Sequence, residues 1–185
     1  MTRITKLEMK GFKSFANKTE LVFGEKFNVI LGPNGSGKSN VFDSLCFVLG
    51  KSSAKGLRAD KSANLIYNGG KSKKPAKSGE VSIYFDNSKK AFPIDTAELK
   101  LTRIIRSSGQ SIYKINDQTR TRQQVLEILS VARIDPQGHN IVLQGDIVHL
   151  VEMSPLERRE IIEEIAGISI YEEKKSKAIN ELNKV

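Results

Sequence analysis

Residues 27–45 read FNVILGPNGSGKSNVFDSL and join an apolar run to a glycine-rich turn and then to an amphipathic segment. The turn fits the pattern G-x-x-x-x-G-K-[ST], and its flanks favour a strand before it and a helix after it. Glycines let backbone amides approach an anion, which then lies at the positive end of the following helix. Lys38 adds a charge for the β- and γ-phosphates, and the Ser39 hydroxyl can ligate Mg²⁺. The pattern therefore predicts a nucleoside triphosphate site rather than a turn that only links a strand to a helix.

Charge is distributed unevenly along the 185 residues, which carry 30 lysines and arginines against 21 acidic residues. Residues 51–90 hold 10 basic and 3 acidic side chains, whereas residues 124–185 hold 7 basic and 11 acidic ones. A basic surface attracts phosphate backbones without reading their sequence, so nucleic acid is a candidate partner on charge alone. A solvated lysine-rich loop around residues 69–77 explains the same charge, and both interpretations stay open. The single cysteine fits a reducing cytosol.

Hydrophobic periodicity predicts an α/β fold, with a P-loop lobe and an antiparallel β-subdomain that lead into a helical neck. A helix is expected over residues 38–49, ending at Gly50, and the glycine of Ser108-Gly109 suits the turn of a β-hairpin. The predicted strands are residues 3–10, 18–23, 26–31, 80–85, 99–106 and 111–116.

Two capping-box patterns predict further helices, one opened by Thr121 and Gln124 and one by Ser154-Pro155-Leu156-Glu157. From residue 168, seam residues recur alternately three and four positions apart, as in a coiled coil. The pattern still runs at Val185, so we expect the chain to be the N-terminal piece of a longer polypeptide. An amphipathic helix packed on its own domain is the alternative. The seam positions are Ile168, Tyr171, Lys175, Ala178, Leu182 and Val185.

A second acidic element, which P-loop enzymes need to help hold Mg²⁺ and orient water, is not evident in the sequence. Asp86 is the nearest candidate, but it ends an alternating strand and is followed by Asn87. The chain is therefore expected to be a nucleotide-binding module only, or to have its catalytic complement on a further stretch of polypeptide.

Six sequence blocks occur in order: residues 10–15 (KGFKSF), 32–40 (GPNGSGKSN), 53–59 (SAKGLRA), 140–146 (NIVLQGD), 153–159 (MSPLERR) and 164–168 (EIAGI). Together they resemble the N-terminal half of the head of an SMC (structural maintenance of chromosomes) protein of the prokaryotic, condensin-like type. The resemblance implies an ABC-type ATPase fold split across the sequence, with residues 1–167 as the N-terminal head lobe. Residues 168–185 would begin the outgoing coiled coil. The missing Walker B acid pair, signature motif and switch histidine would belong to the C-terminal half of the head.

The same resemblance implies roles for individual residues. Lys38 and Gln144 would be catalytic, with Gln144 as the Q-loop glutamine that contacts Mg²⁺ and the attacking water. Ser39 and Gln144 would hold the metal, and Arg58 matches the arginine-loop residue associated with DNA and head engagement. The residues implied to bind ATP are Lys13, Ser14, Gly32, Pro33, Asn34, Gly35, Ser36, Gly37, Lys38, Ser39, Asn40 and Gln144.

The implied cofactors are ATP and Mg²⁺, and the implied partners are the C-terminal half, a second SMC head, a kleisin subunit at the neck and double-stranded DNA. The expected location is the cytoplasm, on the nucleoid, and the isolated chain would hydrolyse essentially no ATP.

Several alternatives stay open. One is a double-strand-break-repair type of ABC ATPase, which shares the split design, although residues 153–159 favour the SMC branch. A second is a self-contained P-loop enzyme, such as a small kinase, with Asp86 as its metal acid. A third is a DNA-binding fragment for which nucleotide is incidental. Arginines 103, 106, 120 and 122 face DNA in one interpretation and form the polar side of a sheet in the other.

Overall fold

The computed structural model describes residues 2–51, 53–70, 74–134, 141–142, 152–165 and 179. The chain divides into two compact units, residues 1–136 and residues 137–185, and each is described by itself. Three predictions lie outside the described residues: the position of Gln144, the coiled-coil seam from residue 168, and the domain boundary after residue 167.

An antiparallel sheet organises the first unit. Its strands are β1 (Arg3–Lys10), β2 (Thr19–Val22), β3 (Ser78–Asp86), β4 (Glu98–Arg106), β5 (Ser111–Ile115) and β6 (Gln118–Arg120). They lie in the order β2-β1-β3-β4-β5-β6, and every neighbouring pair is antiparallel. The strands predicted at 3–10, 18–23 and 80–85 and the hairpin around Gly109 are confirmed. Strand β6 had not been predicted, because its three exposed residues carry no apolar pattern.

The core lies between this sheet and helix α1 (Lys38–Leu49), which packs on β3 and β4. Alternate residues of β3 point into the core because successive side chains of a strand face opposite sides. Val81, Ile83 and Phe85 are accordingly buried, as is Phe47 of α1. Burial raises the pKa of the Cys46 thiol on the same helix, so the cysteine is a neutral core residue.

Helix α2 (Arg122–Val131) begins at the predicted capping box. The Gln124 backbone N–H donates to Thr121 Oγ1 at 3.2 Å, and the Thr121 N–H donates to Gln124 Oε1 at 3.0 Å. Val125 and Leu129 are the buried residues of this helix, which contacts α1 and β5. The capping box therefore positions α2 beside the C-terminal end of α1.

The strand predicted at residues 26–31 is wrong. Residues 27–33 have no regular secondary structure, and Phe27, Val29 and Leu31 are 88%, 60% and 86% exposed. A strand requires a neighbour for its backbone hydrogen bonds, and both edges of β1 are already taken by β2 and β3. The apolar pattern that predicted a strand has no pairing partner among the described residues.

The second unit is represented by helix α3 (Pro155–Ile165). The predicted capping box at its start is confirmed, since the Glu157 N–H donates to Ser154 Oγ and the Ser154 N–H donates to Glu157 Oε2. The Leu156 and Ile162 side chains are exposed. Across the described residues, helices fall short of the length and apolar character that a membrane span requires.

Candidate nucleotide site

The phosphate loop, residues 32–39, leads directly into the N-terminal end of α1. Gly37 is the N-cap, with a φ of +94°, and no side chain caps the helix. The first N–H groups of a helix have no partner within the helix itself. They therefore form, with the positive end of the helix dipole, a site for an anion such as a phosphate group.

Glycine is required at Gly37 for space as well as for backbone conformation. A Cβ atom at this position would lie 3.1 Å from Ser14 Oγ, and the positive φ would strain any other residue. At Gly35, by contrast, an added Cβ would meet nothing within 4 Å. The loop thus packs against residue 14 on one side and has open space beside Gly35, which fits a phosphate ligand.

Lys38 folds back over the phosphate loop. Its Nζ donates to the carbonyl oxygens of Gly32 at 2.6 Å and Pro33 at 2.8 Å, in an exposed position. Carbonyl groups are neutral acceptors, and a phosphate oxygen is a stronger, charged one. The ammonium group is therefore placed to exchange its carbonyl acceptors for the oxygens of a bound phosphate.

Ser39 lies in the first turn of α1, where the sequence predicts a Mg²⁺ ligand. No cluster of three or more histidines, cysteines and acidic residues that could hold a metal occurs within the described portion of the chain. A Mg²⁺ ion here would depend on Ser39, on phosphate oxygens and on residues outside that portion, Gln144 among those predicted. A hydroxyl next to phosphate oxygens is a ligand set that Mg²⁺ accepts.

The loop that contains Lys13 and Ser14 reaches the same helix. Asn40 Nδ2 donates to Ser14 Oγ at 2.9 Å, and the Lys13 backbone N–H donates to the Leu65 carbonyl at 2.7 Å. Ser14 therefore lies beside the start of α1, and its contact with a nucleotide stays a prediction. The Lys13 side chain is directed elsewhere, to Asp43 of α1.

Asp43 is the site residue that the sequence analysis missed. Its side chain is 1% exposed and is paired with two cations, Lys13 and Arg58. Arg58 Nη2 lies 2.8 Å from Asp43 Oδ2, and the Arg58 Nε donates to Asp43 Oδ1 at 3.2 Å. Arg58 Nη2 also donates to the Ser39 carbonyl at 2.5 Å. A lone carboxylate in the apolar run that follows the phosphate loop was the signal that could have revealed it.

Asp86, the alternative metal acid, ends strand β3. Its carboxylate accepts the Ser88 backbone N–H at 2.9 Å and lies 4.0 Å from the Arg3 guanidinium. The hydrogen bonds from Ser88, the larger effect, and the charge of Arg3 lower the pKa of Asp86. Within the described residues, none of its hydrogen bonds or ion pairs reaches the phosphate loop, so the structure does not join Asp86 to the nucleotide site.

Arg103 has a structural position. It is 6% exposed, and its Nη1 donates to the carbonyl oxygens of Phe47 at 2.9 Å and Lys51 at 2.8 Å. The guanidinium carbon also lies 4.1 Å from the centre of the Phe47 ring and 4.9 Å from that of Tyr113. Burial lowers the pKa of this guanidinium. Arg103 therefore belongs to the core between sheet and helix and does not face a ligand.

The other three arginines fall into two groups. Arg122 Nε donates to the Gly50 carbonyl at 3.1 Å, so this side chain also secures the C-terminal end of α1. Arg106 and Arg120 are exposed, and Arg120 donates to Gln118 Oε1 at 2.5 Å.

Comparison with known proteins agrees with the resemblance to SMC heads. The chromosome partition protein Smc of Pyrococcus furiosus is 50% identical over 183 residues, which make up 98% of this chain and 16% of that protein. A crystal structure of the Smc head domain from Pyrococcus furiosus, with an extended coiled coil and bound to the C-terminal domain of ScpA, matches with a TM-score of 0.87 and 49% identity. It covers 100% of this chain and 46% of that chain.

A second solved structure concerns ATP-driven dimerization and DNA stimulated activation of SMC ATPases. It matches with a TM-score of 0.83 and 48% identity, over 88% of this chain and 98% of that chain. These likenesses confirm the fold class, an antiparallel sheet with helices that matches the N-terminal part of SMC heads. The model of the family described as RecF/RecN/SMC N terminal domain matches residues 3–154, and the chain belongs to that family.

Proposed function

We propose that this chain is the ATP-binding half of an SMC head, which acts with a C-terminal half to organise and segregate chromosomal DNA. The observation that carries the proposal is the open N-terminal end of α1, where an uncapped glycine turn and Lys38 meet. Backbone N–H groups and an ammonium group at one place are the means by which P-loops hold the phosphates of a nucleotide.

Each residue of the site has a part in this proposal. Lys38 would release the Gly32 and Pro33 carbonyls and contact the β- and γ-phosphates. Ser39 and Gln144 would supply oxygen ligands for Mg²⁺, which neutralises charge on the phosphates when it is bound. Ser14 and Asn40 would border the nucleotide where they are hydrogen-bonded to each other.

The rest of the catalytic apparatus would come from the C-terminal half of the head. Two features support this division: the sequence carries no Walker B acid pair, and residues 27–31 expose apolar side chains without a neighbouring strand in the part of the chain that the structure describes. A strand from the other half would pair with this segment and bury it. The chain alone would bind Mg·ATP weakly and would not hydrolyse it.

The partners are proposed by analogy with the relatives. One similar structure is of an Smc head bound to ScpA, and another concerns ATP-driven dimerization and DNA stimulated activation. We therefore expect two heads to close around ATP, a kleisin to bind at the neck, and DNA to contact the basic surface, with the protein on the nucleoid. Arg58 would take part in DNA contact or head engagement.

A nucleotide-binding experiment tests the proposal. Lys38→Ala in the complete protein should weaken binding of a fluorescent ATP analogue about tenfold to a hundredfold, because a charge-assisted hydrogen bond is lost. Unchanged affinity would contradict the assignment of the site.

ATP turnover tests the division into halves. We expect turnover from the complete protein and none from the chain alone, and Asp86→Ala should leave the turnover of the complete protein unchanged. Turnover by the chain alone that is abolished by Lys38→Ala would instead support a self-contained enzyme. Salt-sensitive DNA binding that ignores both ATP and Lys38→Ala would support the DNA-binding fragment.

A further inference from the structure

A single buried carboxylate connects two loops to the helix that follows the phosphate loop. We propose that Asp43 is a positioning residue of the nucleotide site, which sets the places of the Lys13 and Arg58 side chains; this inference rests on the proposed function. Asp43 is 1% exposed, whereas the side chains of Lys13 and Arg58 are 10% and 48% exposed. Asp43 is therefore the enclosed centre of the cluster, and the two cations approach it from separate loops.

Each cation is held at a second point that fixes its direction. Lys13 Nζ donates to the Leu57 carbonyl at 2.6 Å, next to Arg58 in the chain. Arg58 Nη2 donates to the Ser39 carbonyl, in the first turn of α1. The cluster thus ties both loops to one another and to the residue expected to ligate Mg²⁺.

The loop around Lys13 is attached to α1 along one face. Ser14 accepts a hydrogen bond from Asn40, and Lys13 pairs with Asp43, three residues further along the helix. Residues three apart lie on the same face of a helix. The loop consequently runs beside the first two turns of α1, close enough to the phosphate loop that a Cβ atom added at Gly37 would lie 3.1 Å from Ser14 Oγ.

Both cations have an uncommon backbone conformation. Lys13 has a φ of +45° and Arg58 a φ of +52°, in the left-handed region that residues other than glycine adopt uncommonly. Such conformations persist where surrounding contacts fix them, and they concentrate at functional sites. Here the side chains of both strained residues converge on one carboxylate.

Charge explains why the carboxylate matters for a nucleotide. Two cations and one carboxylate leave one excess positive charge, which adds to that of Lys38 near the phosphate loop. Without the carboxylate, the two cations would repel each other, and Lys13 would be a largely buried cation without its anionic partner. Arg58, the more exposed of the two, would turn towards solvent and away from the Ser39 carbonyl.

The test is a double-mutant cycle in the complete protein, read by titration of a fluorescent ATP analogue in the presence of Mg²⁺. Asp43→Asn should weaken nucleotide binding about tenfold, a coupling typical of residues in one charged network. In a background that carries Lys13→Gln and Arg58→Gln, the same substitution should change affinity less than about twofold, because the residues through which it acts are gone. An equal loss of affinity in both backgrounds, or no loss in either, would overturn the proposal.

Asp117→Asn is the matched control. The substitution makes the same chemical change away from the site, because Asp117 pairs with Lys100 at 2.9 Å in an exposed position. It should leave nucleotide affinity unchanged, and melting temperatures of all variants separate folding from binding. Lys38→Ala distinguishes failure of the positioning role of Asp43 from failure of the nucleotide site itself. Loss of binding in Lys38→Ala with none in Asp43→Asn refutes only the positioning role, whereas intact binding in Lys38→Ala refutes the nucleotide site itself.

Asp43→Asn leaves a buried amide between two cations, so the design includes a second set of variants for the case in which this protein does not fold. The single variants Lys13→Gln and Arg58→Gln and their combination then decide the matter. Because both cations act through one carboxylate, the loss of affinity in the combined variant should differ from the product of the two single losses. Losses that multiply would show that the two side chains act independently, and the proposal would fail.

Discussion

The two ends of helix α1 are built in opposite ways. At the C-terminal end, Gly50 adopts a left-handed conformation with a φ of +111°, and Arg103 donates to the carbonyls of Phe47 and Lys51. Arg122 completes this end with a hydrogen bond to the Gly50 carbonyl. At the N-terminal end, no side chain caps the helix.

This difference between the two ends of α1 places structural groups at its C-terminal end and groups available to a ligand at its N-terminal end. Carbonyl groups at a helix end need partners when they are buried, and two arginines supply them here. At the other end, the Asn40 N–H donates to the Gly37 carbonyl, and no side-chain cap competes with a ligand for the N–H groups of the first turn. A helix anchored by its C-terminal end can present an open N-terminal end without losing its place on the sheet.

Removal of the anchor should have the largest effect. Arg103→Met deletes the hydrogen bonds to the Phe47 and Lys51 carbonyls and to Ser111 Oγ, and the contact with the Phe47 ring. It should lower the free energy of unfolding by about 3 kcal/mol. Denaturant titration measures this loss. Arg106→Met is the control, since this exposed arginine ends the same strand and should change stability by less than about 0.5 kcal/mol. Equal losses in the two variants would contradict the anchoring role of Arg103.

Alanine substitutions at Gly50 and Gly37, the two glycines that flank α1, should have different effects: the first on the free energy of unfolding, the second on nucleotide affinity. Gly50→Ala imposes a left-handed conformation on alanine and brings its Cβ to 3.2 Å from Leu126 Cδ2. It should cost about 1–2 kcal/mol of stability, with nucleotide affinity unchanged. Gly37→Ala should weaken nucleotide binding, because its Cβ would press on Ser14 Oγ and shift the loop. If both variants lost affinity equally, the contrast between the ends would not hold.

The smallest effect is expected from the capping box of α2, which supports the anchored end from a distance. Thr121→Ala removes the acceptor for the Gln124 N–H and should lower stability by about 1 kcal/mol. Thermal melting measures the loss, and nucleotide titration should show wild-type affinity. Thr121→Ser keeps the hydroxyl acceptor and should behave as wild type, so a Ser variant as unstable as the Ala variant would argue against the capping role.

Local chemistry allowed much of this architecture to be predicted. The bounds of α1 follow from Gly37 and Gly50, and the two helix starts follow from capping boxes that the structure shows hydrogen-bonded. What the sequence could not reveal depends on distant residues. The sequence shows Asp43 as a lone carboxylate in an apolar run, but it does not show that Lys13 and Arg58, 30 and 15 residues away, pair with it.

Arg103 and residues 26–31 are two further cases in which the structure depends on residues far away in the sequence. The alternation of β4 gives no hint that one inward-facing position holds an arginine that donates to carbonyls at and just beyond the end of α1, 56 and 52 residues away. Residues 26–31 have the composition of a strand, yet pairing is a property of two segments and not of one. Periodicity reports which residues suit a buried strand, and it cannot report whether a neighbour is present.

The apolar segment at residues 27–31 also has a consequence for the protein during its synthesis. Exposed Phe27, Val29 and Leu31, in a segment that pairs with no strand among the described residues, resemble the edges by which chains aggregate. Until another strand covers the segment, the first half of the head would be a substrate for chaperones and proteases, which act on exposed apolar chain. Only a head whose second half covers the segment would then escape chaperones and proteases. Exposure of residues 27–31 would therefore cause nucleotide sites that lack their second half to be removed.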